Sequence, residues 1–209
     1  MSVSLMNQVF SHPAVKPMVW LLALLPLAWL TYAAVSDGLG ANPAEALIRA
    51  TGDWALRGLC IALAVTPVRQ LLGWNALSRL RRLLGLFAFF YVCQHVLAYA
   101  WLDMGWQWQS LWDDVLQRPF IGVGALAVLV LLLLALTSPR AVLRAMGGRN
   151  WQRLHQGIHL AAWLALLHFF WMRTSKNNLQ EVWLYVAIIG LLQAWRIWRK
   201  VQPSRMRKP

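Results

Sequence analysis

Four of the five histidines of this chain lie in long apolar segments, where a polar side chain is costly and is usually kept for a function. Residues 151–171 carry His155, His159 and His168, and the earlier segment 83–102 carries His95. At about 1.5 Å of rise per residue, His155 and His168 would lie about 20 Å apart along one helix axis. This separation is too large for one shared metal site but suits two cofactor levels stacked across a bilayer. We therefore interpret the chain as a membrane protein that binds haem.

The composition supports a membrane protein and argues against two other classes. Hydrophobic residues make up 59% of the 209 residues, well above the share in an average soluble domain. The net charge of +13 is spread over alternate gaps between the apolar segments, so it indicates membrane topology and we expect no nucleic-acid partner. The two cysteines, Cys60 and Cys93, lie inside apolar segments and form no CxxC or CxxCH motif. Covalent c-type haem and a zinc site are therefore unsupported, and we expect buried thiols.

The apolar segments predict an all-α integral membrane protein, a single domain over residues 1–209 built as a six-transmembrane-helix bundle. The first segment exceeds the usual length of a signal-peptide core and follows a weakly basic start, so we expect a spanning helix there. The helices are expected at about residues 18–35, 54–72, 83–102, 119–137, 154–172 and 182–198.

Lysine and arginine in the connections predict the orientation of this bundle. They concentrate in three places: Arg69, Arg79, Arg81 and Arg82; Arg140, Arg144, Arg149 and Arg153; and Arg196, Arg199, Lys200, Arg205, Arg207 and Lys208. The other connections are acidic or weakly charged, with Asp37, Glu45, Asp53, Asp103, Asp113, Asp114, Arg173 and Lys176. We therefore expect both termini to be cytoplasmic. Arginines 140–153 could also contact anionic membrane lipid, although the topology rule already accounts for them.

His95 and His168 form the first candidate cofactor pair. With the predicted orientation, both lie in the outer half of helices that run from inside to outside. Two neutral imidazoles at one depth can occupy both axial positions of a haem iron, which gives a low-spin centre suited to electron transfer. The alternative is that each is a buried histidine bonded to a carbonyl group. We favour haem because both side chains are costly at this depth.

His155 and Arg81 form a second candidate pair near the inner surface. Arg81 could neutralise a haem propionate or face His155 across an iron. On an ideal helix, however, His155 and His168 point in poorly matched directions. A kink, a tilt or a single haem would each remove this conflict, so one haem or two remain open. His159 shares the face of His155 and is interpreted as a core histidine, whereas His12 is expected in a solvated tail.

At these residues the sequence resembles the MsrQ (YedZ) family, and the resemblance covers nearly the whole chain. The RRLLGL stretch fourteen residues ahead of a histidine, followed by the later LH…H pair, is the most specific part. The matching positions are Gly52 with Ala55-Leu56, Thr66-Pro67-Val68-Arg69, Arg81-Arg82-Leu83-Leu84-Gly85-Leu86, His95, Thr137-Ser138, Trp151, Leu154-His155 and His168.

The resemblance implies a ferric-reductase-like transmembrane subunit of the bacterial inner membrane. It would take electrons from the quinone pool and pass them through haem b to MsrP, a periplasmic molybdopterin partner that reduces methionine sulfoxide in envelope proteins. The resemblance makes His95, His155 and His168 the haem histidines and Arg81 the matching arginine, and it leaves His159 outside the pattern. It also implies FMN, for which the residues themselves give no site.

Three functions remain to be compared. We favour an electron-transfer subunit, because the helices contain no nucleophile–base set, phosphate loop or paired carboxylates for catalysis of their own. A stand-alone ferric or quinone reductase would need a cytoplasmic nucleotide-binding domain, for which the chain after the last helix is too short. A non-redox transporter would more often carry acidic residues within its helices. The acidic connection 102–118 is a candidate docking surface for the partner.

Overall fold

The computed structural model describes residues 2–174 and 179–202, and these residues form helices and connections without a strand. The basic residues Lys176, Arg205, Arg207 and Lys208, which entered the orientation argument, lie outside the described residues. The helices are α1 (Val3–Ser11), α2 (Val15–Val35), α3 (Pro43–Leu72), α4 (Arg81–Ala98), α5 (Trp108–Gln117), α6 (Pro119–Leu136), α7 (Arg140–Met146), α8 (Gly148–His155), α9 (Gly157–Thr174) and α10 (Gln180–Val201). The all-α prediction is confirmed for this part of the chain.

Four of these segments are long and apolar enough to cross a membrane. They are α2, α3, α6 and the stretch Asn75–Asp103, in which a 3-10 turn (Asn75–Leu80) precedes α4 and a π-helical turn (Tyr99–Asp103) follows it. Helices α9 and α10 are not among these four. Six membrane crossings and cytoplasmic termini therefore stay predictions.

Helix α3 begins at Pro43, well before the expected residue 54. Its start follows from local chemistry: the Asn42 side chain accepts a hydrogen bond from the Glu45 amide at 3.2 Å, and Pro43 occupies the first helical position. The helix ends where Gly73 takes a left-handed conformation with φ of 71°. Because α3 is longer than expected, Asp53 lies within a helix and not in a connection.

The expected helix 154–172 is interrupted near its start. Helix α8 ends at His155, α9 begins at Gly157, and the Gln156 amide bonds to the carbonyls of both Gln152 and Arg153. This irregular turn changes the relation between His155 and the rest of the segment. It is one of the three ways, with a tilt or a single haem, in which the mismatch between His155 and His168 could be removed.

Helices α3, α4, α6, α9 and α10 share one hydrophobic core. Small residues allow close packing: Ala161 and Ala162 of α9 are fully buried, and a Cβ on Gly58 of α3 would lie 3.1 Å from the Ala88 Cα of α4. The outward faces of α2 and α6 expose apolar side chains, as a lipid-facing surface does. These are Trp20, Leu21, Leu22, Leu25, Trp29, Leu126, Leu129, Leu133 and Leu136.

Tyr91 of α4 contacts the α2 backbone beside Pro26. Pro26 has no amide hydrogen and distorts the helix around it. The Tyr91 hydroxyl enters the gap: it donates to the Ala23 carbonyl at 2.7 Å and accepts from the Leu27 amide at 3.2 Å. It thus bridges the two groups that a regular helix joins directly, beside a proline that weakens this pairing.

We expect Tyr91→Phe to lower the free energy of unfolding by about 1–3 kcal/mol, because it leaves the Ala23 carbonyl and the Leu27 amide unpaired. Thermal unfolding in detergent micelles measures the change. Tyr32→Phe, on the exposed face of the same helix, is the matched control. In a Pro26→Ala background the helix can close its own hydrogen bond, so Tyr91→Phe should then cost less. An equal cost in both backgrounds would contradict this role for the hydroxyl.

Candidate cofactor site

His95 of α4 is held against the backbone of α3. Its Nδ1 lies 2.8 Å from the Ile48 carbonyl oxygen. Gly52, four residues later, makes this approach possible, because a Cβ at that position would lie only 3.0 Å from the same Nδ1. The glycine thus provides the space in which the imidazole reaches a helical carbonyl.

His168 of α9 is held by the same arrangement on α6. Its Nδ1 lies 2.7 Å from the Phe120 carbonyl oxygen, and a Cβ on Gly124 would lie 2.7 Å from that Nδ1. Here too the glycine follows the carbonyl residue by four positions. The two histidines are therefore held in the same way. Each imidazole meets a backbone carbonyl of the neighbouring helix, and a glycine follows that carbonyl one turn later.

These contacts assign the proton on each ring. A carbonyl oxygen only accepts, so each Nδ1 carries the hydrogen and each Nε2 keeps its lone pair. The two ring centres lie 6.2 Å apart, with planes at 75°. A metal bonded to both Nε2 atoms at about 2 Å would place the ring centres roughly 6 Å apart. The pair therefore fits two axial ligands of one metal.

A bare metal ion does not fit as well as a metal in a macrocycle. Within the described residues, no group of three or more His, Cys, Asp or Glu side chains could hold an ion. Two imidazoles alone leave a metal short of ligands, whereas haem brings four of its own and needs only the axial pair. The donor set at His95 and His168 thus fits haem.

A buried ion network lies at the same end of the bundle. Arg173 of α9 is 8% exposed and contacts the carboxylates of Glu181 at 2.8 Å and Asp53 at 3.7 Å. Its guanidinium also lies over the Phe169 ring. The sequence analysis placed Arg173 and Asp53 in connections, but both lie within helices, Asp53 next to Gly52. The idea that acidic residues stay outside the helices is therefore wrong for Asp53.

His155 lies at the opposite end and is held differently. Its Nε2 is 3.1 Å from the Thr137 hydroxyl, and its ring stacks on Trp151 with centres 3.8 Å apart. The Trp151 indole donates to the Thr137 carbonyl at 2.8 Å. Arg81, the first residue of α4, lies within electrostatic range of His155. The structure thus places His155 beside Thr137 and Trp151, away from the His95–His168 pair.

The remaining histidines and the cysteines have simpler surroundings. His159 faces Gln193 of α10, whereas His155 faces the end of α6, so the two do not share the face that regular spacing predicted. The break at Gln156 explains the difference. His12 is exposed, and its Nδ1 accepts from the Ala14 amide. Cys60 and Cys93 are free thiols; Cys60 is buried, as expected, whereas Cys93 is only half-buried.

Sequence reasoning missed two parts of this site. Gly124 was not singled out, although its position four residues after Phe120 repeats the relation of Gly52 to Ile48. Arg173 and Asp53 were counted only as loop charges. A search for glycines facing a helical histidine would have found the first, but the pairing across helices needed the structure.

We expect Gly124→Ala to weaken haem binding about tenfold or more, because the added methyl group displaces His168 from the Phe120 carbonyl. Haem titration of the haem-free protein, followed by absorbance, gives the affinity. Gly190→Ala is the matched control, since a Cβ there meets no atom within 4 Å. Unchanged haem affinity in Gly124→Ala would show that the contact between His168 and the Phe120 carbonyl is not needed for haem binding.

Comparison with known proteins gives a consistent assignment. Residues 51–167 match the family model described as ferric reductase like transmembrane component. A protein of Polaromonas naphthalenivorans, "Protein-methionine-sulfoxide reductase heme-binding subunit MsrQ", is 55% identical over 94% of this chain and 90% of its own. Proteins with the same name from Bordetella pertussis and Herminiimonas arsenicoxydans are 44% and 42% identical, over 91% and 89% of this chain and 94% and 87% of theirs. No solved structure matches. The chain therefore belongs to the MsrQ family, within the ferric-reductase-like transmembrane proteins.

Proposed function

We propose that this protein is a haem b electron-transfer subunit of a methionine sulfoxide reductase system, with His95 and His168 as the axial ligands. The observation that carries the proposal is the pair of imidazoles with ring centres 6.2 Å apart, each with its Nδ1 on a backbone carbonyl. The family assignment supports the same function, since relatives are named as haem-binding subunits of such a reductase.

The protein contributes geometry and proton placement to this function. The Ile48 and Phe120 carbonyls fix the ring orientations and keep both Nε2 atoms unprotonated, so neither ligand has to lose a proton before binding. When bound, haem supplies a centre that accepts and releases one electron without a change of ligands. The helical supports limit movement of the two imidazoles, which suits electron transfer better than substrate binding.

A second haem near the inner surface would rest on His155 and Arg81. The neighbourhood of these two residues supports a cofactor there, but His155 differs from the outer histidines because its Nε2 contacts Thr137. Inner binding would therefore use the other ring nitrogen or require the imidazole to turn. We accordingly propose one haem at His95 and His168, with the inner level as the candidate for a second.

The route of electrons follows from the predicted orientation. Electrons would enter from quinol in the bacterial inner membrane and leave at the outer end, near His95 and His168, toward the periplasmic reductase MsrP. The protein would then have no substrate-transforming site of its own and would act as the redox subunit of the complex. FMN is not part of this proposal, since no contact among the described residues argues for it.

The acidic connection between α4 and α6 is the proposed docking surface for MsrP, but its three carboxylates are not equivalent. Asp114 accepts from the Tyr99 hydroxyl at 2.5 Å and pairs with Arg118 at 3.2 Å, so it stabilises the connection itself. Asp113 is half-buried, whereas Asp103 is exposed at the end of the π-helical turn. Asp103 is therefore the carboxylate best placed to meet a partner.

We expect the purified protein to show a sharp reduced α band of b type after dithionite, and His95→Ala or His168→Ala to abolish it. Each substitution removes one of the two axial ligands. Pyridine haemochrome quantitation per chain distinguishes one haem from two. His12→Ala, in the exposed turn before α2, is the control and should keep the spectrum. A colourless wild-type protein from haem-replete cells would reject electron transfer and favour a transporter.

We expect Asp103→Lys to raise the KM for MsrP by about threefold to tenfold at low salt, because it reverses one charge of the docking surface. Asp103→Asn should have a smaller effect, and raising the ionic strength should reduce both. Electron transfer from the reduced subunit to MsrP gives the measurement. Unchanged transfer in Asp103→Lys at low salt would remove this surface from the proposal.

A further inference from the structure

Arg196 of α10 is held inside the inner half of the bundle by a defect in α3. Pro67 has no amide hydrogen, so the Leu63 carbonyl four residues earlier lacks its helical partner. Arg196 donates to this carbonyl from Nη2 at 2.6 Å. The contact fixes a guanidinium between α3 and α10, one helical turn beyond Gln193.

Three buried polar atoms around this guanidinium have no hydrogen-bond partner among residues 2–174 and 179–202. They are Arg196 Nε, Gln193 Nε2 and His159 Nδ1. Arg196 Nε and Gln193 Nε2 only donate, whereas His159 Nδ1, on the ring that faces the Gln193 side chain, donates in one tautomer and accepts in the other. Buried donors without a partner are rare in folded proteins and costly, so several at one place indicate a missing acceptor.

The charged side chains around these atoms are all positive. Arg81 lies within electrostatic range of both Arg196 and His159, and Lys200 lies within range of His159. The seven Asp and Glu residues of the sequence lie toward the other end of the bundle: at 37–53, before α3 or in its first half, at 103–114, after α4, and at 181, in the first turn of α10. The protein therefore has no acidic side chain of its own to neutralise this cluster, and like charges held together away from water repel one another.

We propose that Arg196, Gln193, His159 and Arg81 form a binding site for an oxyanion, a carboxylate or phosphate group of a bound molecule. Such a group has only acceptor oxygens, matches the unpartnered donors and supplies the missing negative charge. Two sources share this chemistry at this depth: the carboxylates of an inner haem and the phosphate of an anionic phospholipid. The site does not depend on which source fills it.

Gln193→Glu provides the sharpest test, because it builds a carboxylate into the site. In protein produced without haem and depleted of lipid, it should raise the thermal midpoint by about 3 °C or more. Gln152→Glu makes the same charge change on exposed α8 and is the control, which should shift the midpoint less. Arg196→Gln removes the charge but keeps a polar amide at this position, so it should fold and lose the oxyanion.

Ligand-binding measurements distinguish the two sources of the oxyanion, haem and phospholipid. If the ligand is haem, protohaem should bind about tenfold or more tightly than its dimethyl ester, and Arg196→Gln should remove this preference. If the ligand is a phospholipid, native mass spectrometry should show a retained anionic lipid in the wild type that is lost in Gln193→Glu and Arg196→Gln. Either outcome supports the oxyanion site.

The proposal is overturned if Gln193→Glu gives no greater stabilisation than Gln152→Glu and neither haem nor lipid retention changes in the variants. This failure is distinct from failure of the proposed function, since the outer pair would still give its b-type spectrum. Conversely, a colourless protein would reject the haem function while the thermal comparison of the two glutamate variants would still test the oxyanion site.

Discussion

The hydrogen bond from an imidazole to a helical carbonyl is the interaction on which the rest of this structure depends. A carbonyl within a helix already accepts from the amide four residues later, yet it has a second lone pair. In α3 and α6 that amide belongs to a glycine, whose missing side chain exposes the carbonyl to a neighbouring helix. One small residue thus sets the approach of two helices, the tautomer of the histidine and the direction of its free nitrogen.

The same principle applies to the two prolines that lie within α2 and α3. Pro26 and Pro67 each disturb a helix where no water can replace a lost hydrogen bond. Tyr91 fills the first defect with a hydroxyl that both donates and accepts, and Arg196 supplies the second with a guanidinium. Each of these hydrogen bonds joins two helices. The backbone groups next to the prolines therefore become contacts that position α2 against α4 and α10 against α3.

The sequence predicted the helical class and singled out His95 and His168, which the structure brings together, because both inferences depend on local patterns: long apolar segments and rare polar residues within them. Sequence reasoning failed where a helix boundary or a side-chain contact depended on features outside the apolar pattern. Helix α3 starts early because Asn42 and Pro43 together form a strong start signal, which the apolar segment alone did not reveal. His155 and His159 separate because of one irregular turn at Gln156, and periodicity assumes a regular helix. The pairing of Asp53 with Arg173 joins two segments that sequence spacing cannot relate.

The distribution of charge links these features to function. Carboxylates occupy the predicted outer end, where Arg173, Arg118 and Arg49 pair with them, while the inner end holds cations without acidic side chains to balance them. A positive inner end favours the reduced, more negative form of a nearby redox group, and an acidic outer end disfavours it. Taken alone, this field would hold an electron at the inner level. Transfer outward then needs the inner charge to be offset, and an oxyanion beside Arg196 and Arg81 would do so. With a second haem at the inner level, neutralising the inner cluster would therefore bring the two levels closer in potential and favour electron movement toward His95 and His168.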